Sequence, residues 1–191
     1  MNIIVETERL ILREFTEKDV DNLFALDSQP EILRWGNGGN PTNYETIKNQ
    51  SLPKMIKYYE KYEHYGIWAA IEKQTNEFIG WFHFYPATES RFGVELKIVT
   101  DEEIALGYRL HPHKWGKGYA TEGSQILVFK GFKEWDVQKV VSWTLLDNQR
   151  SIKVMKKVGL QYEKEFSFTE SQLPNLTASE RKAVKYALHK V

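Results

Sequence analysis

The chain contains no cysteine among its 191 residues. Disulfides, thiolate-held metals and a cysteine nucleophile are therefore excluded. Neither sign of charge is in excess: lysine plus arginine and aspartate plus glutamate stand at 26 each. No global field favours nucleic acid or an anionic membrane. Long apolar runs are missing too. No stretch approaches the roughly 20 apolar residues of a membrane helix. The N-terminal stretch from Met1 to Asp19 mixes charges from Glu6 onward, unlike the apolar core of a secretory signal. These absences predict a cytoplasmic protein with no nucleic-acid or membrane partner. The length predicts a single domain over 1–191 with a substantial core.

Leu10-Ile11-Leu12 reads as a short strand between Arg9 and Arg13, and Thr16 with Asp19 as a variant capping box opening a helix. Trp35 to Pro41 (Trp-Gly-Asn-Gly-Gly-Asn-Pro) reads as a loop, and Tyr44 to Tyr62 as a helical region broken near Pro53. Gly66 to Glu72 and Glu77 to Tyr85 form a hairpin about Thr75-Asn76. Glu89 to Asp101 is an insert or an extra strand around Val94 to Val99. Strands are expected at Ile104 to Leu110, Lys139 to Thr144, Gln161 to Phe168 and Ala183 to Leu188. Helices are expected at Thr121 to Trp135 and Ser151 to Lys157, the latter ending on Gly159 as its C′ residue. Ser171 to Ser179 reads as a polar loop holding Pro174. The order argues an α/β mixed sheet with helices on both faces.

The most informative stretch is His113-Lys114-Trp115-Gly116-Lys117-Gly118-Tyr119-Ala120, lying between a strand and a helix start. Glycines let backbone N–H groups crowd together, and the unpaired N–H groups of a first helical turn add partial positive charge. The guest such a turn suits is a diphosphate, with Lys114 and Lys117 adding full charges. The dinucleotide fingerprint fails, because Thr121 stands where G-x-G-x-x-G needs its third glycine. The P-loop pattern fails because Ser124 replaces its lysine.

The loop resembles the coenzyme A pyrophosphate loop of GNAT acetyltransferases, [Q/R]-x-x-G-x-[G/A], with His113 departing at the first position. Three segments resemble the ribosomal-protein N-terminal (alanine/serine) acetyltransferase-like branch of that superfamily. They are Thr7 to Arg13 with Thr16 and Asp19, Gly107 to Glu122, and Asn148-Gln149-Arg150-Ser151 continuing to Leu160. The resemblance implies a GNAT-like fold with a twisted, mostly antiparallel sheet splayed between strands four and five. It implies direct transfer of an acetyl group from acetyl-CoA to a primary amine, with CoA as product and no metal. The acceptor would be a protein N-terminal α-amine. The alternatives are a small-molecule amine (polyamine, amino acid or aminoglycoside-like) or a non-catalytic CoA-binding module. Monomer and homodimer both stay open.

The resemblance also implies roles. Backbone of Arg109, Leu110 and His111 would pair with the pantetheine arm, and Lys114 to Ala120 (Lys114, Trp115, Gly116, Lys117, Gly118, Tyr119, Ala120) would hold the pyrophosphate. Asn148 would bond the pantetheine, its bland reading being a turn residue. Many relatives place an acid tyrosine where this chain has Met155; in the similar branch a serine serves, here Ser151, which would equally suit a helix N-cap. The strand-four glutamate of many relatives falls at Ala105, while Glu102 and Glu103 read as solvated. Glu170 matches the base of the similar branch, with His83, Tyr85 and His111 as alternatives. Glu122 suits a helix dipole in any protein, Trp115 reads as packing, and His111-Pro112-His113 reads as a surface turn rather than a metal pair. The strand aromatics alternate, so one set lines the core and the other an acceptor pocket, with Trp35 to Gly39 as its wall. At pH 7 an α-amine of pKa ~8 is roughly a tenth neutral, whereas a lysine amine of pKa ~10.4 is neutral in about one molecule in 2,500. A site without a strong base therefore leans toward acceptors of low pKa.

Overall fold

The computed structural model of the chain describes residues 2–36, 40 and 42–190. Among them β1 (Ile3–Glu6), β2 (Leu10–Glu14), β3 (Gly66–Glu72), β4 (Glu77–Pro86), β5 (Glu103–Leu110), β6 (Lys139–Leu145), β7 (Gln161–Ser167) and β8 (Lys182–His189) form one sheet. Its spatial order is β1-β2-β3-β4-β5-β6-β8-β7. Every pairing is antiparallel except β5 with β6. The helices are α1 (Val20–Asp27), α2 (Pro30–Gly36), α3 (Tyr44–Thr46), α4 (Leu52–Lys61), α5 (Arg91–Glu95), α6 (Tyr119–Glu134) and α7 (Gln149–Val158).

Period-two alternation assigns the faces. Along β3, Trp68 and Ala70 join Leu10, Leu12, Phe82 and Phe84 under α6 and α7, with Leu127, Val128, Ile152 and Met155 closing that core. Ala69 and Ile71 point the other way, against Leu23, Leu26, Ile32, Ile47 and Leu52. Helix α6 lies close to the sheet because it presents glycine there. A Cβ on Gly123 would stand 2.4 Å from Phe82 Cζ, and one on Gly131 2.7 Å from Phe84 Cζ.

The feature that positions the site is the parallel pair. β5 and β6 share the rungs Glu103↔Lys139, Ile104↔Val140 and Ala105↔Val141. Beyond them β5 stays paired with β4 up to Leu110, and β6 with β8 up to Leu145. The two strands thus part and leave a gap at their C-terminal ends. The closed end is bolted by charge. Glu103, 1% exposed, meets Lys185 Nζ at 2.8 Å and Lys139 Nζ at 2.7 Å. Glu163 bridges the same two lysines at 2.9 and 2.5 Å, and Lys185 also donates to the Ile98 carbonyl at 2.7 Å. Burial opposes ionisation of Glu103, and Lys139 and Lys185 outweigh it, holding the carboxyl below its usual range. Glu103 is therefore not the solvated residue that its sequence neighbourhood suggests.

Three further differences from the sequence reading, and the place of the helix break expected near Pro53, have local causes. Strand β1 is additional: it is short and pairs only at the sheet edge with β2, so the gap falls between the fifth and sixth strands in chain order. Trp35 belongs to α2 rather than to a loop, while Asn37, Gly38, Gly39 and Pro41 lie outside the described residues. The helix break falls at a π-helical segment, Ile47–Ser51, just before Pro53, whose missing N–H cannot continue the ladder. The insert holds α5 and no strand around Val94 to Val99, because Ser90 caps a helix by accepting from the Gly93 N–H at 3.2 Å. The hairpin turn is as expected, with Asn76 at φ 56°, and Gly159 at φ 103° ends α7.

Gly123→Ala tests the close approach. Helix propensity alone favours the alanine by about 1 kcal/mol, but overpacking against a fully buried Phe82 costs about 1–3 kcal/mol. We expect a lower urea midpoint than wild type; an unchanged or higher midpoint would show that α6 can lift off the sheet freely.

Candidate active site

The glycine loop leaves β5, makes one 3-10 turn at Pro112–Lys114 and enters α6. Gly116 and Gly118 take φ of 74° and 88°, left-handed values that a side chain resists. A Cβ on Gly116 would meet nothing within 4 Å, so this glycine is needed for its backbone angle and faces open space. Gly118 is the residue before α6, and the N–H groups of Tyr119, Ala120 and Thr121 begin the helix without intrahelical acceptors. The loop thus brings the free N–H groups of a helix start to the end of β5.

Its two lysines part company. Lys117 is exposed. Lys114 is 6% exposed and turned inward, where its ammonium meets Glu72 at 2.8 Å and Glu77 at 2.7 Å. The structure therefore corrects the assignment of Lys114 as a charge beside the loop's guest: that charge is spent inside the protein. Glu72 also accepts from the Tyr119 hydroxyl and from Thr75 Oγ1 at 2.5 Å. The carboxylate at the end of β3 thus clamps both sides of the glycine loop, through Lys114 before it and Tyr119 after it. Lys114, then Thr75 and Tyr119, hold the Glu72 carboxyl down to about 2. A second brace comes from the N-terminal hairpin. Arg9 donates to the Lys117 carbonyl at 2.9 Å, pairs with Glu122 at 2.5 Å and lies 4.5 Å over the Tyr119 ring. Glu122 also accepts from Thr7 Oγ1 at 2.5 Å, so its role extends beyond the helix dipole.

On the α6/α7 face, a side-chain hydrogen bond crosses the gap. The Tyr108 hydroxyl of β5 donates to Ser151 Oγ of α7 at 3.2 Å. Burial raises the Tyr108 phenol, and the Ser151 hydrogen bond opposes that rise. Ser151 is not the cap of α7. Asn148 is, its side-chain oxygen accepting from the Ser151 N–H at 3.2 Å. Asn148 thereby aims α7's first turn, and Ser151 Oγ is left for the gap. Met155 is buried in the core. Backbone direction also sorts the strand. The His111 N–H donates to the Ile79 carbonyl at 2.9 Å, so alternation turns the backbone of Arg109 and His111 toward β4 and that of Leu106, Tyr108 and Leu110 toward the gap. Of Arg109, Leu110 and His111, only Leu110 is placed to offer backbone there. Its carbonyl already accepts from Trp115 Nε1 at 2.7 Å.

The opposite face carries an aromatic column. Trp81 stacks with His83 at 5.8 Å, His83 with Tyr85 at 4.4 Å, Tyr85 with Tyr58 at 5.5 Å and Tyr58 with Tyr62 at 6.1 Å. Gly107 of β5 makes room for it: a Cβ there would stand 2.5 Å from His83 Cε1. Burial and then the Arg109 charge push the His83 imidazole down to about 3, so it is neutral. Burial, then Glu89, raise the Tyr85 phenol to about 12. Arg109 lies 5.2 Å over Trp81 and pairs with Asp27 at 2.6 Å, while Glu89 accepts from Tyr62 at 2.7 Å and Tyr58 at 3.3 Å. Burial also lowers His111, whose ring meets Phe78 edge-on at 6.1 Å. Glu170 is exposed in the connection between β7 and β8.

Residues 9–161 match the family model described as Acetyltransferase (GNAT) domain. The chain belongs to the GNAT acetyltransferase family. The Bacillus subtilis protein named "Uncharacterized N-acetyltransferase YoaA" is 29% identical over 84% of this chain and 84% of its own. Among solved structures, RimL, a ribosomal L7/L12 α-N-protein acetyltransferase in complex with coenzyme A, superposes with a TM-score of 0.77 at 19% identity, covering 98% of each chain. The aminoglycoside acetyltransferase AAC(6′)-Ib, also in complex with coenzyme A, superposes with a TM-score of 0.70 at 22% identity over 95% of each. The mostly antiparallel sheet flanked by helices is the GNAT fold, and the chain is an acyl-CoA N-acyltransferase.

Three residues in this GNAT site were not legible in the sequence. Tyr108 was seen only as part of a family segment, Glu72 as a strand end and Arg9 as a flanking charge. Each acts on the site across at least 40 positions, and no local pattern signals such a contact.

The Glu72 clamp has a pH signature. Its folded value lies below its ordinary 4.5, so its stabilising contribution is complete above about pH 4.5 and is lost as pH falls toward 2. Glu72→Gln leaves Lys114 buried without its buried partner, with only the half-exposed Glu77 beside it, and we expect a loss of about 3 kcal/mol at pH 7. Urea titrations should show the two proteins converging between pH 4.5 and 2. A gap that persists unchanged to pH 2 would mean that the clamp is not ionic.

Proposed function

We propose that residues 1–191 act as one GNAT-like acetyltransferase domain that takes acetyl from acetyl-CoA and delivers it to a free α-amine, as at a protein N-terminus. The observation that carries the reading is the gap between β5 and β6, with its donor-rich loop at one end and different chemistry on its two faces. Acetyl-CoA supplies an activated thioester acyl group. The loop from Trp115 to Ala120 holds the pyrophosphate through backbone N–H groups, with Lys117 beside it. The pantetheine arm runs along the gap-facing backbone of Leu110 and its neighbours, near Asn148. Support for the single domain is that one sheet draws strands from Ile3 to His189.

Ser151 is the proton donor to the leaving thiolate. It accepts from Tyr108, which leaves its own hydroxyl proton for the gap. Thiols have an ordinary pKa near ~8.5, so this step asks little of its acid. For the amine proton, the candidates are Glu170, His83, Tyr85 and His111. We favour His83, because it lies against Gly107, in the part of β5 that has parted from β6. A neutral imidazole of low basicity suits an amine with a sizeable unprotonated fraction, and that condition favours α-amines over lysine side chains. A polyamine fits less well. The carboxylates bordering the aromatic column, Asp27 and Glu89, are already engaged by Arg109 and by Lys61 with the tyrosines.

Thermal unfolding with CoA, acetyl-CoA, ATP and NAD, each alone, tests the donor. A ligand at about 100 times its Kd stabilises by about 2.7 kcal/mol, a rise of roughly 5–10 °C at this size. Both CoA species should raise Tm and the other two should not; no rise with either CoA species removes the acetyltransferase reading.

CoA release with a free-N-terminus peptide, an N-blocked lysine peptide and spermidine tests the acceptor, the first being expected to turn over fastest. With that peptide His83→Ala should lower kcat by about 10²–10⁴-fold and Glu170→Gln should leave it near wild type. The reverse result would move the base to Glu170.

A further inference from the structure

Acetyl-CoA carries its negative charge on a pyrophosphate and a 3′-phosphate, and two cations at the loop are already neutralised. Lys114 is paired with Glu72 and Glu77. Arg9 is paired with Glu122 and donates to the Lys117 carbonyl. Across the mouth of the gap stands α7, whose sequence Gln-Arg-Ser-Ile-Lys-Val-Met-Lys-Lys-Val holds four cations and no carboxylate. In a chain of zero formal charge this is a local excess. Arg150, Lys153, Lys156 and Lys157 are all exposed, and among the described residues none has an ion-pair partner.

Arg150 differs from the three lysines in where it is held. Its guanidinium lies 5.2 Å over the ring of Trp115, the residue before Gly116. The Trp115 indole is itself fixed by donating Nε1–H to the Leu110 carbonyl at 2.7 Å. The chain of contacts runs from the last residue of β5, through the loop's tryptophan, to the first turn of α7. It therefore spans the two sides of the gap next to the free N–H groups of the helix start. A guanidinium stacked on an indole keeps its edge and its five N–H donors for a planar or tetrahedral oxyanion, and stacking reduces the side-chain freedom lost on binding. A lysine at this position would keep the charge and lose the stack.

We propose that Arg150, held in place by Trp115, is a cofactor-phosphate-binding residue, and that it supplies the side-chain charge which Lys114 does not. The inference rests on the acetyl-CoA reading above. Trp115 acts through Arg150 as a positioning residue. Lys153, one turn along the same helix, extends the cationic surface away from the loop.

Calorimetric titration of the full chain with CoA, 3′-dephospho-CoA and acetyl-pantetheine tests this without recourse to turnover. Arg150→Met should weaken CoA by about tenfold or more, the scale of one lost charge-assisted contact, and leave acetyl-pantetheine binding unchanged. Sparing of dephospho-CoA would assign the contact to the 3′-phosphate; equal weakening of CoA and dephospho-CoA would assign it to the pyrophosphate. Trp115→Leu should reproduce part of the loss, and Arg150→Lys should fall between Met and wild type. CoA affinity unchanged in Arg150→Met, or an equal loss for acetyl-pantetheine, would overturn the proposal while leaving the acetyltransferase reading intact. Failure of the wild-type chain to bind CoA at all would instead remove that reading, and this inference with it. Thermal unfolding without ligand should be the same for Arg150→Met and wild type, since the side chain is exposed.

Discussion

Everything in the site depends on two parallel strands that pair briefly and then separate. Parallel neighbours exchange evenly spaced hydrogen bonds, so once they diverge every backbone group on the inner edges loses its partner. Such a gap is tolerable only if something else occupies it or covers it. On one face Tyr108 and Ser151 join the separated strands through α7. On the other, the His83 ring lies against Gly107 where a side chain would clash. The closed end needs the opposite treatment. There, Glu103, Glu163, Lys139 and Lys185 form a quartet of two anions and two cations, with Glu103 and Lys185 buried, that holds the two strands together at their paired end. Buried charges are costly when unpaired, so this arrangement tolerates few alternative registers.

The glycine loop hangs from the same strand and needs rigidity that its own sequence cannot provide. Glycines grant the left-handed angles and also flexibility. The structure compensates from three distant directions: the β3 carboxylate at Glu72, the N-terminal hairpin at Arg9, and the indole of Trp115 tied back to Leu110. Backbone donors can be preorganised in this way without any of those side chains touching a ligand. The division of labour explains why the loop carries two lysines of which only one faces outward. One charge serves as an anchor, the other remains available.

The two faces of the gap differ in chemistry. The α6/α7 face offers hydroxyl groups and backbone, with the Tyr108 phenol raised further by burial. The other face offers stacked rings and a neutral imidazole, with its charged groups already paired. This asymmetry matches a transfer between two partners arriving from opposite sides, one long and anionic, the other an amine that must be neutral when it attacks.

The sequence by itself determined most of the elements and the loop. Period-two runs, the Thr75-Asn76 turn, the Gly159 stop and the Gly116-Lys117-Gly118 spacing are local patterns, and local backbone preference is what decides them. It also separated the chain from nucleotide-binding loops through single residues, Thr121 and Ser124. What it could not determine was which charged side chain faces which way. Lys114 and Lys117 are three positions apart with similar neighbours, yet one is buried and one exposed, because only the first meets Glu72, 42 residues earlier in the chain. Glu103 looked solvated beside Glu102 until β8 brought Lys185 to it. Ser151 suited a cap and a gap residue equally in the sequence; Asn148 caps α7 instead, because the cap is set by where α7 starts and pattern alone places a helix start only to within a residue or two. Tertiary structure decided these because charge pairing and burial are set by contacts between distant segments, and a linear sequence carries no record of distance.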